Sequence, residues 1–197
     1  MTARTSHIVL VMSAFVAGLV VFLAVFLYAT GQFGGSPGPS AIGGPFKLID
    51  QNGKPLTDRD LKGKPFLVFF GYTHCPDVCP TTLFELSELM RALGKDADRV
   101  NALFVTVDPD RDTPAVMKDY LSSFDPHLRG ATGDQQQIDT VEKEFRVYSK
   151  KVPTKDGDYS MDHSAVVYLM DKDGRFVAPF SLKRQPAETA DALRKYL

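Results

Sequence analysis

The stretch FLVFFGYTHCPDVCP, residues 66–80, joins an unbroken apolar run to two cysteines. Residues 66–70 are all apolar, which is typical of a strand that is covered on both faces. Residues 81–93 then carry leucines and a methionine at the spacing of one helical stripe. The sequence therefore predicts a buried strand and an amphipathic helix, with the cysteines in the connection between them.

The same alternation of strand and helix patterns continues to the C-terminus. Further strands are predicted at 100–107, 164–170 and 175–180, and further helices begin after Thr113, after Asp134 and at Pro186. The turn at 171–174 makes the last two strands a hairpin, and Asn52-Gly53 predicts a small hairpin upstream. This order predicts an α/β, thioredoxin-like fold with an added N-terminal hairpin and an extra helix before the C-terminal hairpin.

The distribution of charge divides the chain into two parts. The 197 residues include 23 Lys and Arg against 24 Asp and Glu, which argues against a nucleic-acid binder because such a protein needs a basic surplus. Residues 1–46 contain one charged side chain, Arg4. The remainder is long enough to fold around one core, so we expect a single domain at 46–197.

The first part has the pattern of a membrane anchor. Residues 8–29 are 22 consecutive uncharged, mostly apolar residues, longer than the apolar region of a cleaved signal peptide. Arg4 precedes this run, so the positive-inside rule predicts residues 1–7 in the cytoplasm. The Gly/Pro-rich residues 30–45 form a linker, and the domain lies outside. We expect a single-pass protein of a bacterial inner membrane with its domain in the periplasm.

The only two cysteines, Cys75 and Cys79, precede the first helix of the domain. A structural disulfide is one interpretation, but so short a loop adds little stability. The end of a parallel strand beside a helix N-terminus is a common functional position, and the positive end of the helix is expected to lower a thiol pKa. A redox pair that forms a reversible disulfide is possible, although the usual spacing has two intervening residues and here there are three.

The extra intervening residue favours a metal site, which needs further ligands. The candidates are His74, His127, His163, Met161 and Asp77. The predicted topology brings the start of the strand at 164–170 beside the cysteines, and this favours His163. Two thiolates and one imidazole favour copper, since zinc takes four ligands, or three and a water.

Three motifs carry a resemblance to a known family. Residues 71–83 (GYTHCPDVCPTTL), 107–114 (VDPDRDTP) and 161–164 (MDHS) resemble the Sco/SenC/PrrC family of membrane-anchored, copper-binding assembly proteins of cytochrome c oxidase. The resemblance implies that Cys75, Cys79 and His163 bind copper. It also implies a role at the dinuclear copper centre of oxidase subunit II, by copper delivery, by reduction of its cysteines, or both.

Two other classes of function remain open on the sequence. One is a membrane-tethered periplasmic thiol–disulfide oxidoreductase that uses Cys75 and Cys79 catalytically, and the other is a structural or sensory membrane module. A peroxiredoxin is excluded, because Val68 and Tyr72 occupy the positions of its Pro and Thr. Since the periplasm is oxidising, we also expect a thioredoxin-like reductant and a copper donor as partners.

Overall fold

The structure, a computed structural model, describes residues 3–29 and 42–197, and within the first range it describes the side chains of 10–26 and 28. The chain divides into two compact units, Met1–Pro39 and Ser40–Leu197, with the boundary inside the predicted linker. The first consists of helix α1 (Ala3–Ala29), whose described side chains are exposed. Residues 30–41 of the predicted linker lie outside the described residues.

Within the part of the chain that the structure describes, no helix is both long enough and apolar enough to span a membrane.

The second unit contains nine strands among its described residues. They are β1 (Lys47–Asp50), β2 (Pro55–Thr57), β3 (Phe66–Gly71), β4 (Asn101–Thr106), β5 (Leu128–Thr132), β6 (Ser149–Pro153), β7 (Tyr159–His163), β8 (Val167–Met170) and β9 (Phe176–Pro179). Seven of them form one sheet in the order β2-β1-β5-β4-β3-β8-β9, in which β3, β4 and β5 are parallel and the other pairs are antiparallel. Strands β6 and β7 form a separate antiparallel pair.

The described residues of this unit also contain four α-helices, of which the first two connect the parallel strands. They are α2 (Val78–Leu93), α3 (Pro114–Leu121), α4 (Gln135–Phe145) and α5 (Pro186–Arg194), with 3-10 helices at Asp58–Leu61 and Gly94–Arg99. Both predicted N-caps are confirmed, because the Thr113 side chain accepts a hydrogen bond from the Val116 amide and Asp134 forms a capping box with Gln137. A side chain that satisfies a free amide in this way stabilises a helix by about 1 kcal/mol.

The core lies between the main sheet and its helices. Every residue of β3 is buried, and Phe69, Phe70, Phe104 and Phe145 are among the largest side chains fully removed from water. Burying one such side chain is favourable by about 1.5–3 kcal/mol. The apolar run that predicted β3 therefore also supplies the centre of the core.

The order of elements confirms the predicted thioredoxin-like arrangement, including the upstream hairpin and the extra helix, which is α4. The strand predicted at 164–170 is wrong in its first half, because β8 begins only at Val167. Ser164 donates its amide to the Tyr148 carbonyl oxygen at 2.9 Å and accepts the Tyr148 amide on its hydroxyl at 3.1 Å. These bonds end β7 at His163, so this histidine belongs to the two-stranded sheet.

Candidate metal centre

The two cysteines lie where β3 passes into α2. Cys75 is in the connection and Cys79 is the second residue of the helix. Both are free, with 8% and 0% of their surface exposed. The Cys79 amide donates a hydrogen bond to the Cys75 sulfur at 3.4 Å. The positive end of the helix thus points at the Cys75 sulfur.

The imidazole of His163 faces the cysteines with the nitrogen that can bind a metal. Its Nδ1 lies 3.2 Å from the Ser164 carbonyl oxygen. A carbonyl can only accept, so Nδ1 carries the proton and Nε2 keeps a free electron pair. Nε2 lies 3.5 Å from the Cys79 sulfur. The rings of Tyr72 and Phe69 pack edge-on against the imidazole, with centres at 5.8 Å and 6.4 Å.

The donor atoms of Cys75, Cys79 and His163 all lie within 4.8 Å of one another. A metal ion about 2.0–2.3 Å from each of three donors in one plane requires donor separations of roughly 3.5–4 Å. The observed spacing is compatible with this after small side-chain movements. Among the described residues, this is the one group of three or more His, Cys, Asp or Glu side chains that could hold a metal ion.

Burial sets the protonation states of two of the three groups. It raises the pKa of the Cys79 thiol well above its usual value, with a smaller opposing effect from a backbone hydrogen bond with Tyr72. The lowered thiol pKa expected at the helix N-terminus is therefore wrong for Cys79, since desolvation of the thiolate outweighs the helix dipole. Burial also lowers the pKa of His163, against the bond to Ser164, so its imidazole stays neutral at pH 7.

Gly71, the last residue of β3, allows the close packing behind the site. A Cβ at this position would lie 2.7 Å from the Cys79 sulfur and 2.9 Å from Cε2 of Phe104. Real Cβ contacts are almost never so short. A glycine between an apolar strand and the cysteines is a sequence signal for such close packing, although it was not among the predicted site residues.

The other predicted ligand candidates lie outside the cluster. His74 is half-exposed and bonds to the Thr73 hydroxyl at 3.1 Å, and Asp77 is exposed at the start of α2. His127 lies between the carboxylates of Asp125 and Asp98, at 2.6 Å and 3.3 Å. The preference for His163 over these three residues therefore agrees with the geometry.

Met161 is a further ligand candidate, because its thioether sulfur is a soft donor. It is 8% exposed and lies two positions before His163 on β7, while Asp162 between them is exposed. Alternate residues of a strand share a face, so Met161 and His163 lie on the same face of β7. Packing in the core accounts for the burial of Met161.

A buried aspartate that was not predicted from the sequence holds the connection between β3 and α2 in place. Asp112 is fully buried and accepts hydrogen bonds from the Thr73 amide at 3.0 Å, the Thr73 hydroxyl at 2.6 Å and the Thr106 hydroxyl at 2.6 Å. Burial raises the pKa of Asp112, and these bonds oppose the shift. Its negative charge also contributes to the raised pKa of Cys79. The signal for this role was a carboxylate that closely follows a buried strand.

The fold and the site together define a thioredoxin-like domain with a Cys/Cys/His group that could hold a metal ion. A family model described as SCO1/SenC matches residues 34–197. The chain therefore belongs to the SCO1/SenC family, and the resemblance predicted from three short motifs is confirmed.

Individual relatives agree with this assignment. A SCO2-like protein of Rickettsia felis is 43% identical over 155 residues, which cover 78% of this chain and 76% of that protein. The structure of Bradyrhizobium japonicum ScoI with copper bound is 70% identical, covers 79% of this chain and 99% of that one, and has a TM-score of 0.78. Arabidopsis thaliana ScoI with copper bound is 38% identical, covers 79% and 97%, and has a TM-score of 0.72. The prediction of copper is thereby confirmed at the level of the family.

Proposed function

We propose that this chain is a copper-binding assembly factor for the dinuclear copper centre of cytochrome c oxidase subunit II. In this proposal Cys75, Cys79 and His163 hold the copper. The observation that carries it is the convergence of two free, buried thiols and one neutral imidazole within 4.8 Å.

The chemistry of the donors supports copper over zinc. Thiolate is a soft ligand that suits Cu(I), while imidazole binds either oxidation state of copper. A structural zinc site has four protein ligands, and a catalytic site has three and a water that the protein activates. The described His, Cys, Asp and Glu side chains contribute three donors here, and the packed rings of Tyr72 and Phe69 leave the imidazole in apolar surroundings.

An anaerobic titration of the reduced chain with Cu(I) tests the ligand set. We expect one Cu(I) per chain, and we expect His163→Ala to weaken binding strongly. His127→Ala is the matched control, since this histidine is bound to Asp125 and Asp98 outside the cluster. Unchanged affinity in His163→Ala would overturn the three-ligand assignment, and so would an equal loss in the control.

A second function, as a thiol–disulfide oxidoreductase, is favoured by the proximity of Cys75 and Cys79. In that reaction their two thiols would become a disulfide while a disulfide of the partner, for example in subunit II, takes up the two electrons and two protons. An external reductant, which we expect to be thioredoxin-like, would then restore the thiols. His163 separates the two functions, because His163→Ala should abolish tight copper binding and leave thiol exchange intact.

We also propose that residues 8–29 anchor the domain in a bacterial inner membrane. The support is the uncharged run of 22 residues and the position of Arg4 before it. In this arrangement residues 1–7 are cytoplasmic, 30–45 are a linker, and 46–197 lie in the periplasm, where a copper donor would load the site. A reporter enzyme that is active only outside the cytoplasm, fused after Leu197, should be active. Activity of a cytoplasmic reporter instead would reverse the orientation.

A further inference from the structure

The loop between β4 and α3, residues 107–113, contacts both chain segments that supply the metal donors. On one side Asp112 binds the segment just before Cys75, through the hydrogen bonds described above. On the other side Arg111 binds the strand that ends at His163. The helix cap predicted at Thr113 does not account for either set of contacts.

Arg111, Asp108 and Tyr159 bind one another pairwise, and we call this group the Arg111 clasp. The guanidinium carbon lies 3.8 Å from the centre of the Tyr159 ring, and Nη1 donates to the Tyr159 carbonyl oxygen at 3.0 Å. Nε donates to the Asp108 carboxylate, which also accepts the Tyr159 hydroxyl at 2.9 Å. The side chain of Asp108 is fully buried and that of Arg111 is 17% exposed, so water and salt screen this ion pair weakly.

The strand that carries His163 depends on contacts of this kind. Strand β7 pairs only with β6 among the described residues, and four of the five residues of β6 are exposed. A two-stranded sheet is marginally stable by itself. Tyr159 is the first residue of β7 and His163 the last. A strand rises about 3.3 Å per residue, so the clasp fixes β7 at a point roughly 13 Å along the strand from His163.

We propose that Arg111 is a positioning residue of the metal centre. By holding Tyr159 against the loop that also holds the cysteine connection, it sets the distance between the imidazole of His163 and the two sulfurs. Arg111 is not a ligand, because its guanidinium is always charged and has no electron pair to donate. This inference rests on the proposed copper site and adds a residue outside its ligand set.

A double-mutant cycle on the full chain tests whether Arg111 acts through His163. We expect Arg111→Met to weaken Cu(I) binding about tenfold, as loss of a group that orients a ligand commonly does. In a His163→Ala background the same substitution should cause no further loss, because the residue it positions is gone. Arg111→Lys, which keeps the charge but not the planar fork, should fall between wild type and Arg111→Met.

A spectroscopic readout separates positioning from general stability. With Cu(II) bound, Arg111→Met should retain the thiolate-to-copper charge-transfer absorption and lose or reduce the nitrogen hyperfine splitting from the imidazole. Arg175→Met is the matched control. Arg175 also pairs with carboxylates, those of Asp171 and Asp173, but it lies at the β8–β9 turn, and its loss should change neither signal.

Two outcomes overturn the positioning role while leaving the proposed function intact. One is an unchanged affinity in Arg111→Met, and the other is an equal loss in the wild-type and His163→Ala backgrounds, which would mark a general effect on the fold. If Arg111→Met does not melt cooperatively, Tyr159→Phe, which removes only the hydroxyl bond to Asp108, is put through the same cycle. Tyr159→Phe is expected to cause a smaller loss of Cu(I) affinity, and this loss should likewise be absent in the His163→Ala background. A wild-type chain that binds no copper overturns the proposed function and this inference together.

Discussion

Replacing Gly71 with alanine is expected to destabilise the domain and weaken its metal centre together. The added Cβ would lie 2.7 Å from the Cys79 sulfur and 2.9 Å from Cε2 of Phe104. Ordinary contacts are about 3.5–4.0 Å, so each neighbour must move by roughly 1 Å. Both neighbours are fully buried, so neither can move out into solvent. Overpacking of this kind typically costs about 1–3 kcal/mol of unfolding free energy.

The same shift should also weaken copper binding. Metal–ligand distances tolerate changes of about 0.2 Å, so displacing the Cys79 sulfur by roughly 1 Å should weaken Cu(I) binding at least about tenfold. Urea unfolding measures the first effect, and competition with a chromogenic Cu(I) chelator measures the second. Because φ of Gly71 lies outside the left-handed region, backbone strain does not contribute to either effect.

Gly44→Ala is the control for the same change in chemistry. Its new Cβ would meet the end of the Glu144 side chain, which is flexible and partly exposed and can rotate away. We expect it to lose less than about 0.5 kcal/mol and to keep the wild-type copper affinity. If Gly71→Ala behaves like this control in both assays, the close approach of β3 to the Cys79 sulfur does not constrain the site.

Three further predictions concern protonation and redox state. Burial raises the pKa of Cys79, so its thiol must release a proton when it binds Cu(I). The affinity for Cu(I) should therefore rise at least about tenfold per pH unit between pH 6 and 8. A pH-independent Kd would contradict this. Oxidation to a Cys75–Cys79 disulfide removes two of the three donors, so the oxidised chain should not bind stoichiometric Cu(I) without a reductant, as a thiol count and titration can check. The hydrogen bond to Asp125, and the weaker contact with Asp98, raise the pKa of His127, with burial opposing. The charged His127 should therefore stabilise the fold fully below its unfolded pKa near 6.5, and this stabilisation should decline as the pH rises through its higher folded pKa. The Tm difference between wild type and His127→Gln should accordingly shrink from pH 6 to pH 8.

The elements that sequence predicted well are those whose signals are local. The caps at Thr113 and Asp134 satisfy free amides within one helical turn, so residue type and spacing suffice to locate them. The turn at 171–174 is also local, since Asp171 accepts the amides of Asp173 and Arg175. Cys75 and Cys79 could be assigned to a site because the strand–helix junction that holds them is itself a local pattern.

The elements that were not predicted from the sequence depend on contacts with residues far away in the chain. Strand β5 contains Gly130, which is unfavourable in a strand, but the side chains of Leu121 and Met117 pack so closely there that a Cβ would lie 2.6 Å and 3.0 Å from them. Pairing with β4 and β1 on either side, and not local propensity, makes this segment a strand. The position of His163 was correct in space but derived from the wrong strand, because the break at Ser164 depends on Tyr148.

The three donors differ in how far they reach toward solvent, and this gives ligand exchange a direction. Cys79 is completely covered and Cys75 is 8% exposed, while His163 is only partly buried. If these residues hold copper, an incoming ligand would approach the ion most easily beside the imidazole. The imidazole would then be the first donor to be replaced, and the two sulfurs would hold the ion until the incoming ligand is in place. If the group holds copper, a transfer would not require release of the ion into water, and the sulfur of Cys79 would be the last donor to be replaced.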